Sequence, residues 1–174
     1  MNRHQRWLAV VPVVSLVLGS ALASARERGP SGMYPTGTLI LRNAQGPRLA
    51  VSHEISEVPK QHTPAALVAA DVNKELLIVA VQKVPSSELR AMVTSGFARR
   101  GVSATEGTQL TQACDRADLA PGTRAMLRYD AATKTTTFAV NGVGKRTLTG
   151  AAAMRAVWSS FLEGTDGEKM ATRF

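Results

Sequence analysis

Hydrophobic and polar positions are most regularly ordered between Leu119 and Leu162. Pro121-Gly122 marks a turn. From Arg124 to Tyr129 the residues alternate, with Ala125, Leu127 and Tyr129 on one side and Arg124, Met126 and Arg128 on the other, as in a half-buried strand. Asp130 to Lys134 reverses the chain. Thr135 to Val140, rich in β-branched and aromatic residues, predicts the returning strand. Asn141-Gly142 is a hairpin signal, because both central residues of a primed turn need positive φ. Lys145 to Thr149 predicts a third, short strand. After Gly150, residues Ala151, Met154, Val157, Trp158, Phe161 and Leu162 recur at helical spacing.

Upstream, Thr38 to Leu41 predicts a short strand and Asn43 to Pro47 a turn. Arg48 to Val58 alternates, with Leu49, Val51, His53 and Ile55 as the inward set. Pro64 to Ala70 is a short helix or a packed loop. Glu75 to Gln82 is the most apolar strand after the N-terminal segment; so continuous a run predicts a central strand covered on both faces. Pro85 stops it. Ser86 is the expected N-cap of a helix carrying Leu89, Met92, Val93 and Phe97 as one stripe, with Glu88 in its first turn and Gly101 beyond its end. A second helix is expected from about Glu106 to Asp118, and a last one from Asp166 to Arg173. Strands, then helices, then strands and a closing helix predict an α+β domain. Its sheet is largely antiparallel, with a helical layer on one side.

The first residues change the picture of where the chain works. Arg3 and Arg6 precede an uncharged apolar run, Trp7 to Gly19, and the small-residue site Ala23-Ser24-Ala25. The run is shorter than the ~20 residues a spanning helix needs. The pattern is that of a secretory signal peptide over residues 1–25, cleaved after Ala25, with export to the periplasm. Residues 26–36, with Gly29, Pro30, Gly32 and Pro35, read as a flexible lead-in to one domain over 37–174. No transmembrane span is expected after cleavage.

Charge and candidate chemistry narrow the function further. Lys and Arg number 21 against 13 Asp and Glu, a net charge of +8. The basic residues are dispersed, with Arg99-Arg100 and Lys145-Arg146 as pairs. This predicts a solvated surface, or attraction to an anionic envelope surface, rather than a nucleic-acid partner. Cys114 is the sole cysteine and falls at helical spacing with Leu110, Ala113 and Ala117, so a buried thiol is expected before a reactive one. His53 is expected to be hydrogen-bonded at the sheet face, and His62 to be solvated in a Pro-flanked loop. No His, Cys, Asp or Glu cluster has metal-ligand spacing, and no cofactor is implied.

Several landmarks occur together: Gly46-Pro47-Arg48 opening a strand, the strand Leu76–Val81, the Ser-Glu-Leu helix Ser87–Phe97, and Pro121-Gly122. Leu127–Tyr129, Val140-Asn141-Gly142, Leu148-Thr149-Gly150 and the Val157-Trp158 helix follow them. This ordered set, spanning Thr38 to Phe174, resembles the chalcone isomerase-like family, and most closely its exported bacterial branch. The resemblance implies an open-faced β-sandwich, a large antiparallel sheet packed against helices with a pocket between. It also implies that the arginine of a Gly-x-Arg at a strand start, here Arg48, holds a ligand oxyanion: a phenolate in the plant isomerases, a carboxylate in fatty-acid binders. A guanidinium at the rim of an apolar cavity suits that role, although a surface arginine after a turn would have the same sequence.

The plant enzymes carry a tyrosine at the start of the first long helix and an asparagine two turns in. The matching positions here are Pro85-Ser86-Ser87 and Met92-Val93, with Ser56, Ser159 and Ser160 as the hydroxyls nearest the enzyme's threonines. The expectation is therefore a non-catalytic binder of an amphipathic carboxylate such as a fatty acid. Arg48 would hold the head group, and Met92, Phe97, Trp158 and Phe161 would form the apolar wall; ordinary core packing would place each of the four similarly. The alternatives are an isomerase or lyase with Arg48 as oxyanion stabiliser, an envelope interaction module, and a haem binder using His53 or His62.

Overall fold

The structure is a computed structural model that describes residues 27–172 apart from Arg116 and Thr165. The expected signal peptide and its cleavage site lie outside the described residues. Six strands run in sequence order across one antiparallel sheet: β1 Tyr34–Asn43, β2 Gly46–Ile55, β3 Lys74–Ala80, β4 Arg124–Asp130, β5 Thr135–Val140 and β6 Gly144–Thr149. Helices α1 Pro64–Ala69, α2 Ser86–Thr94, α3 Ala104–Thr111 and α4 Ala151–Leu162 cover one face. This is the expected α+β, open-faced sandwich. Among the described residues no helix is long and apolar enough to cross a membrane.

The alternation in β2, β3, β4 and β5 sends Leu49, Val51, Ile55, Leu76, Ile78, Leu127, Tyr129 and Phe138 toward the helices, all fully buried. From above, α4 contributes Met154, Val157, Trp158, Phe161 and Leu162. Each large apolar side chain so buried stabilises the fold by roughly 1.5–3 kcal/mol before entropy is subtracted. The other face stays open: Leu77 and Val79 are half-buried and Ile40 and Val81 each 42% exposed. Strand β3 is thus central in the sheet but not covered on both faces as its apolar run predicts. A run of Leu, Ile and Val cannot distinguish a two-sided cover from an apolar patch left on one side.

Several boundaries move for reasons that lie far along the chain. Strand β1 begins at Tyr34, inside the expected lead-in, because Tyr34 and Pro35 pair with Ile55 and Glu54 across a bulge that accommodates the proline. Ser86 is the first residue of α2 rather than its N-cap. Pro85 takes that position without a side-chain bond, and the Ser86 N–H donates to Asp118 instead (3.2 Å). Helix α3 starts and ends earlier than expected, since Ser103 and Glu106 form a capping box and the helix tightens to a 3-10 turn over Gln112–Cys114. The last helix is a 3-10 turn, Gly167–Ala171, packed against β1. A Cβ on Gly37 would lie 2.5 Å from the Lys169 carbonyl oxygen, so glycine is what admits that close approach.

Candidate ligand-binding site

Strict alternation along β2 would aim Arg48 at the open face with Ala50 and Ser52. A register shift prevents this. Leu41 pairs with Leu49 and Arg42 with Pro47, leaving Arg48 as the extra residue of a bulge. Its carbonyl accepts from the Val81 amide (2.8 Å) and, more weakly, from Gln82 (3.4 Å). Re-aimed by the bulge, the guanidinium reaches the helix layer and pairs through Nη2 with Oε2 of Glu88, in the first turn of α2. The Arg48 side chain is 17% exposed and that of Glu88 40%. Arg48 Nε is buried and has no hydrogen-bond partner.

Glu88 stands one helical turn before Met92, and so on the same side of α2. Met92 lines a cleft of about 170 Å³ together with Leu39, Leu41, Ser160, Phe161 and Gly167. Leu41 faces Leu49, the residue after Arg48. The Arg48–Glu88 pair thus sits on the side of α2 that carries Met92, one turn from a mostly apolar cleft bounded by β1, α2, α4 and the turn after it; Arg48 is not among the lining residues, and Asp166 is. Of the four expected wall residues, the structure brings Met92 and Phe161 into this cleft. Phe97 instead lines a groove of about 400 Å³ between α2 and α3, with Thr94, Val102 and Gly107.

Trp158 is fully buried over the far end of the sheet, edge-on to Tyr129 with ring centroids 6.4 Å apart. Beneath it lies a buried lysine that the sequence pattern did not single out. Lys74 Nζ sits 5.2 Å from the indole centroid and donates to the carbonyls of Leu67 (2.8 Å), Val68 (3.1 Å) and Ala70 (2.9 Å). Three N–H groups thus meet three carbonyls at the C-terminal end of α1. Burial lowers the ammonium pKa to about 7, opposed by the charge of Asp71. Hydrogen bonds from Lys134 (2.6 Å), then Tyr129 (2.7 Å), hold the Asp71 carboxyl below the usual carboxylate range.

His53 is hydrogen-bonded and buried, as expected of a residue on the inward set. Thr36 has one hydroxyl hydrogen, which it donates to the Met170 carbonyl (2.7 Å), so it accepts from His53 Nδ1–H (2.7 Å). Nε2 is the bare nitrogen, buried without a partner. Burial, with the Lys74 charge behind it, drives the ring's pKa down to about 3. Neither described cleft is lined by His53, and His62 is exposed in its loop. Cys114 is buried, and burial, then Asp115, pushes its thiol up to about 11, so it packs rather than reacts.

No protein-family model matches the sequence, and no curated protein does either. Among solved structures, the crystal structure of a fatty-acid binding protein of Arabidopsis thaliana is similar. Its TM-score is 0.62 at 12% sequence identity, over 83% of this chain and 89% of that one. The fold is chalcone isomerase-like. On this chalcone isomerase-like sheet, Arg48 occupies the bulge at the start of β2 and Glu88 the helix start above it. The partnership was missed in the sequence because Glu88 reads there as a carboxylate placed for the helix dipole.

Proposed function

We propose that this chain is a non-catalytic binder of an amphipathic carboxylate such as a fatty acid. The head group pairs with Arg48, and the tail lies against Leu39, Leu41, Met92 and Phe161. One observation carries the reading: a largely enclosed guanidinium on a bulge, with a buried Nε lacking an acceptor, held one helical turn from Met92, which lines the cleft. The fold likeness to a fatty-acid binding protein supports it. The cleft, at about 170 Å³, is smaller than the ~300–1,000 Å³ of small-molecule pockets. A long tail therefore requires α2 or the chain after α4 to move outward. In the same reading the protein is exported, and the N-terminus of the mature chain would follow Ala25.

Native mass spectrometry of the purified protein should show a bound long-chain acid, and palmitate should displace a fluorescent fatty acid. Arg48→Gln should weaken palmitate binding by roughly 10- to 100-fold, the worth of a charge-assisted hydrogen bond of about 1.5–3 kcal/mol. A protein that carries no lipid and ignores added palmitate would refute the proposal.

A further inference from the structure

We propose that Glu88 is a built-in competitor for the ligand's head group: it occupies half of the Arg48 fork and must be displaced before an external carboxylate binds. This inference rests on the carrier reading above. The side edge of a guanidinium presents Nε–H and Nη2–H in parallel, matched to one carboxylate. Arg128 in this same protein has both prongs of that edge taken, Nε (2.9 Å) and Nη2 (2.7 Å) sharing the single oxygen Oε2 of Glu75. On Arg48, Glu88 takes Nη2 while Nε is left buried and unmatched. A buried donor without an acceptor is costly, so the resting pair holds the charge without satisfying it.

Exposure decides which partner gives way. Glu88, at 40%, can swing into water, and at the first turn of α2 it still faces the positive end of the helix dipole. Arg48, at 17%, stays enclosed and needs an anion. An incoming carboxylate with two coplanar oxygens can fill both prongs, whereas an ester or alcohol offers no charge to replace that of Glu88. The arrangement selects free acids. It also couples head-group binding to release of α2 beside Met92, where the cleft must widen.

The test compares palmitate and methyl palmitate on wild type, Glu88→Gln, Glu88→Asp and Arg48→Gln, by fluorescent-probe displacement at low salt and at about 1 M salt. Glu88→Gln should bind palmitate about tenfold more tightly, Glu88→Asp should fall between it and wild type, and methyl palmitate should be indifferent to the change. The gain should persist at 1 M salt, where the Debye length is about 3 Å and through-space repulsion is screened. A gain that vanishes in salt, or equal or weaker binding by Glu88→Gln while Arg48→Gln loses affinity, overturns the competitor and leaves the carrier. No palmitate binding by any of the four proteins overturns both.

Discussion

Acidification should remove stability through one side chain, His53. Its folded-state pKa is about 3, against 6.5 for the free side chain. Burial is the main cause and the Lys74 charge the second. The geometry explains the direction: Nδ1–H is committed to Thr36, so a second proton would go to Nε2, which is buried and has no acceptor. Between pH 6.5 and pH 3 the unfolded chain binds this proton and the folded chain does not. The unfolded state therefore holds more protons, and stability falls as pH falls across that window. Each pH unit below 6.5 costs about 1.4 kcal/mol, so moving from pH 7 to pH 5 costs about 2 kcal/mol from His53 alone.

Urea denaturation at pH 7 and pH 5 measures this in wild type and in His53→Gln, which retains a polar group for Thr36 and cannot titrate. The carboxylates and Lys74 are common to both proteins and cancel in the comparison. The wild type should lose about 2 kcal/mol more than the variant between the two pH values. Parallel losses would refute the reasoning, since they would mean that the folded ring accepts its proton as readily as the unfolded one.

Two further substitutions test the packing around the same core. Gly96→Ala would put a Cβ 2.1 Å from Ser159 Oγ and 2.4 Å from the Ala156 carbonyl oxygen of α4. The hydroxyl can turn away but the carbonyl cannot, so the urea midpoint should drop by the equivalent of roughly 2–3 kcal/mol; an unchanged midpoint would show that the α2–α4 approach is looser than described. Lys74→Met leaves three buried carbonyls at the end of α1 without donors. At ~1 kcal/mol for each, stability should fall by about 3 kcal/mol, with amide exchange in 66–70 accelerating more than in α4.

Local turn chemistry made part of the fold legible in the sequence. β5 and α4 begin and end where the pattern puts them, because Asn141-Gly142 and Gly150 punctuate the chain; Gly142 has φ 73° and Gly150 φ 112°, but Asn141 does not share the positive φ, so the β5–β6 turn is not the primed turn the dipeptide predicts. Boundaries set by a distant partner were not legible. Asp118 takes over the start of α2, and Ile55 extends β1 back to Tyr34. Lys74 illustrates the limit: a charged residue at the edge of an apolar run looks like its solvated end. Its burial depends on α1 folding so that three carbonyls converge above it. At the candidate site the sequence pattern identified Arg48 but not its aim. Period-two alternation turns it outward, and a one-residue bulge, invisible in the residue types, turns it back.

The polar bonds of the interior are concentrated at one end of the sheet, and this decides where the protein can open. At the β3 start, Lys74 binds the end of α1, Tyr129 binds Asp71, and Thr36 links His53 to the Met170 carbonyl. Apart from the Thr36–His53 bond, which joins β1 to β2, each of these joins the sheet to the layer or loop above it, and most are shielded from water. At the opposite end, around Leu49 and Ala80, α2 lies on apolar contacts of Leu89 and Val93 together with the Arg48–Glu88 pair, and its C-terminal end is tied to α4 by Ser160, whose hydroxyl donates to the Val93 carbonyl (2.9 Å) and accepts from the Gly96 amide (2.8 Å). The Ser86 amide on Asp118 and the Val84–Leu119 bridge anchor the start of α2 rather than its length. Apolar contacts slide at lower cost than buried hydrogen bonds break. Outward movement of α2 to enlarge the Met92–Phe161 cleft therefore has to break the Ser160 bonds to Val93 and Gly96 as well as the Arg48–Glu88 pair, and of these the ion pair is the one an incoming carboxylate would exchange.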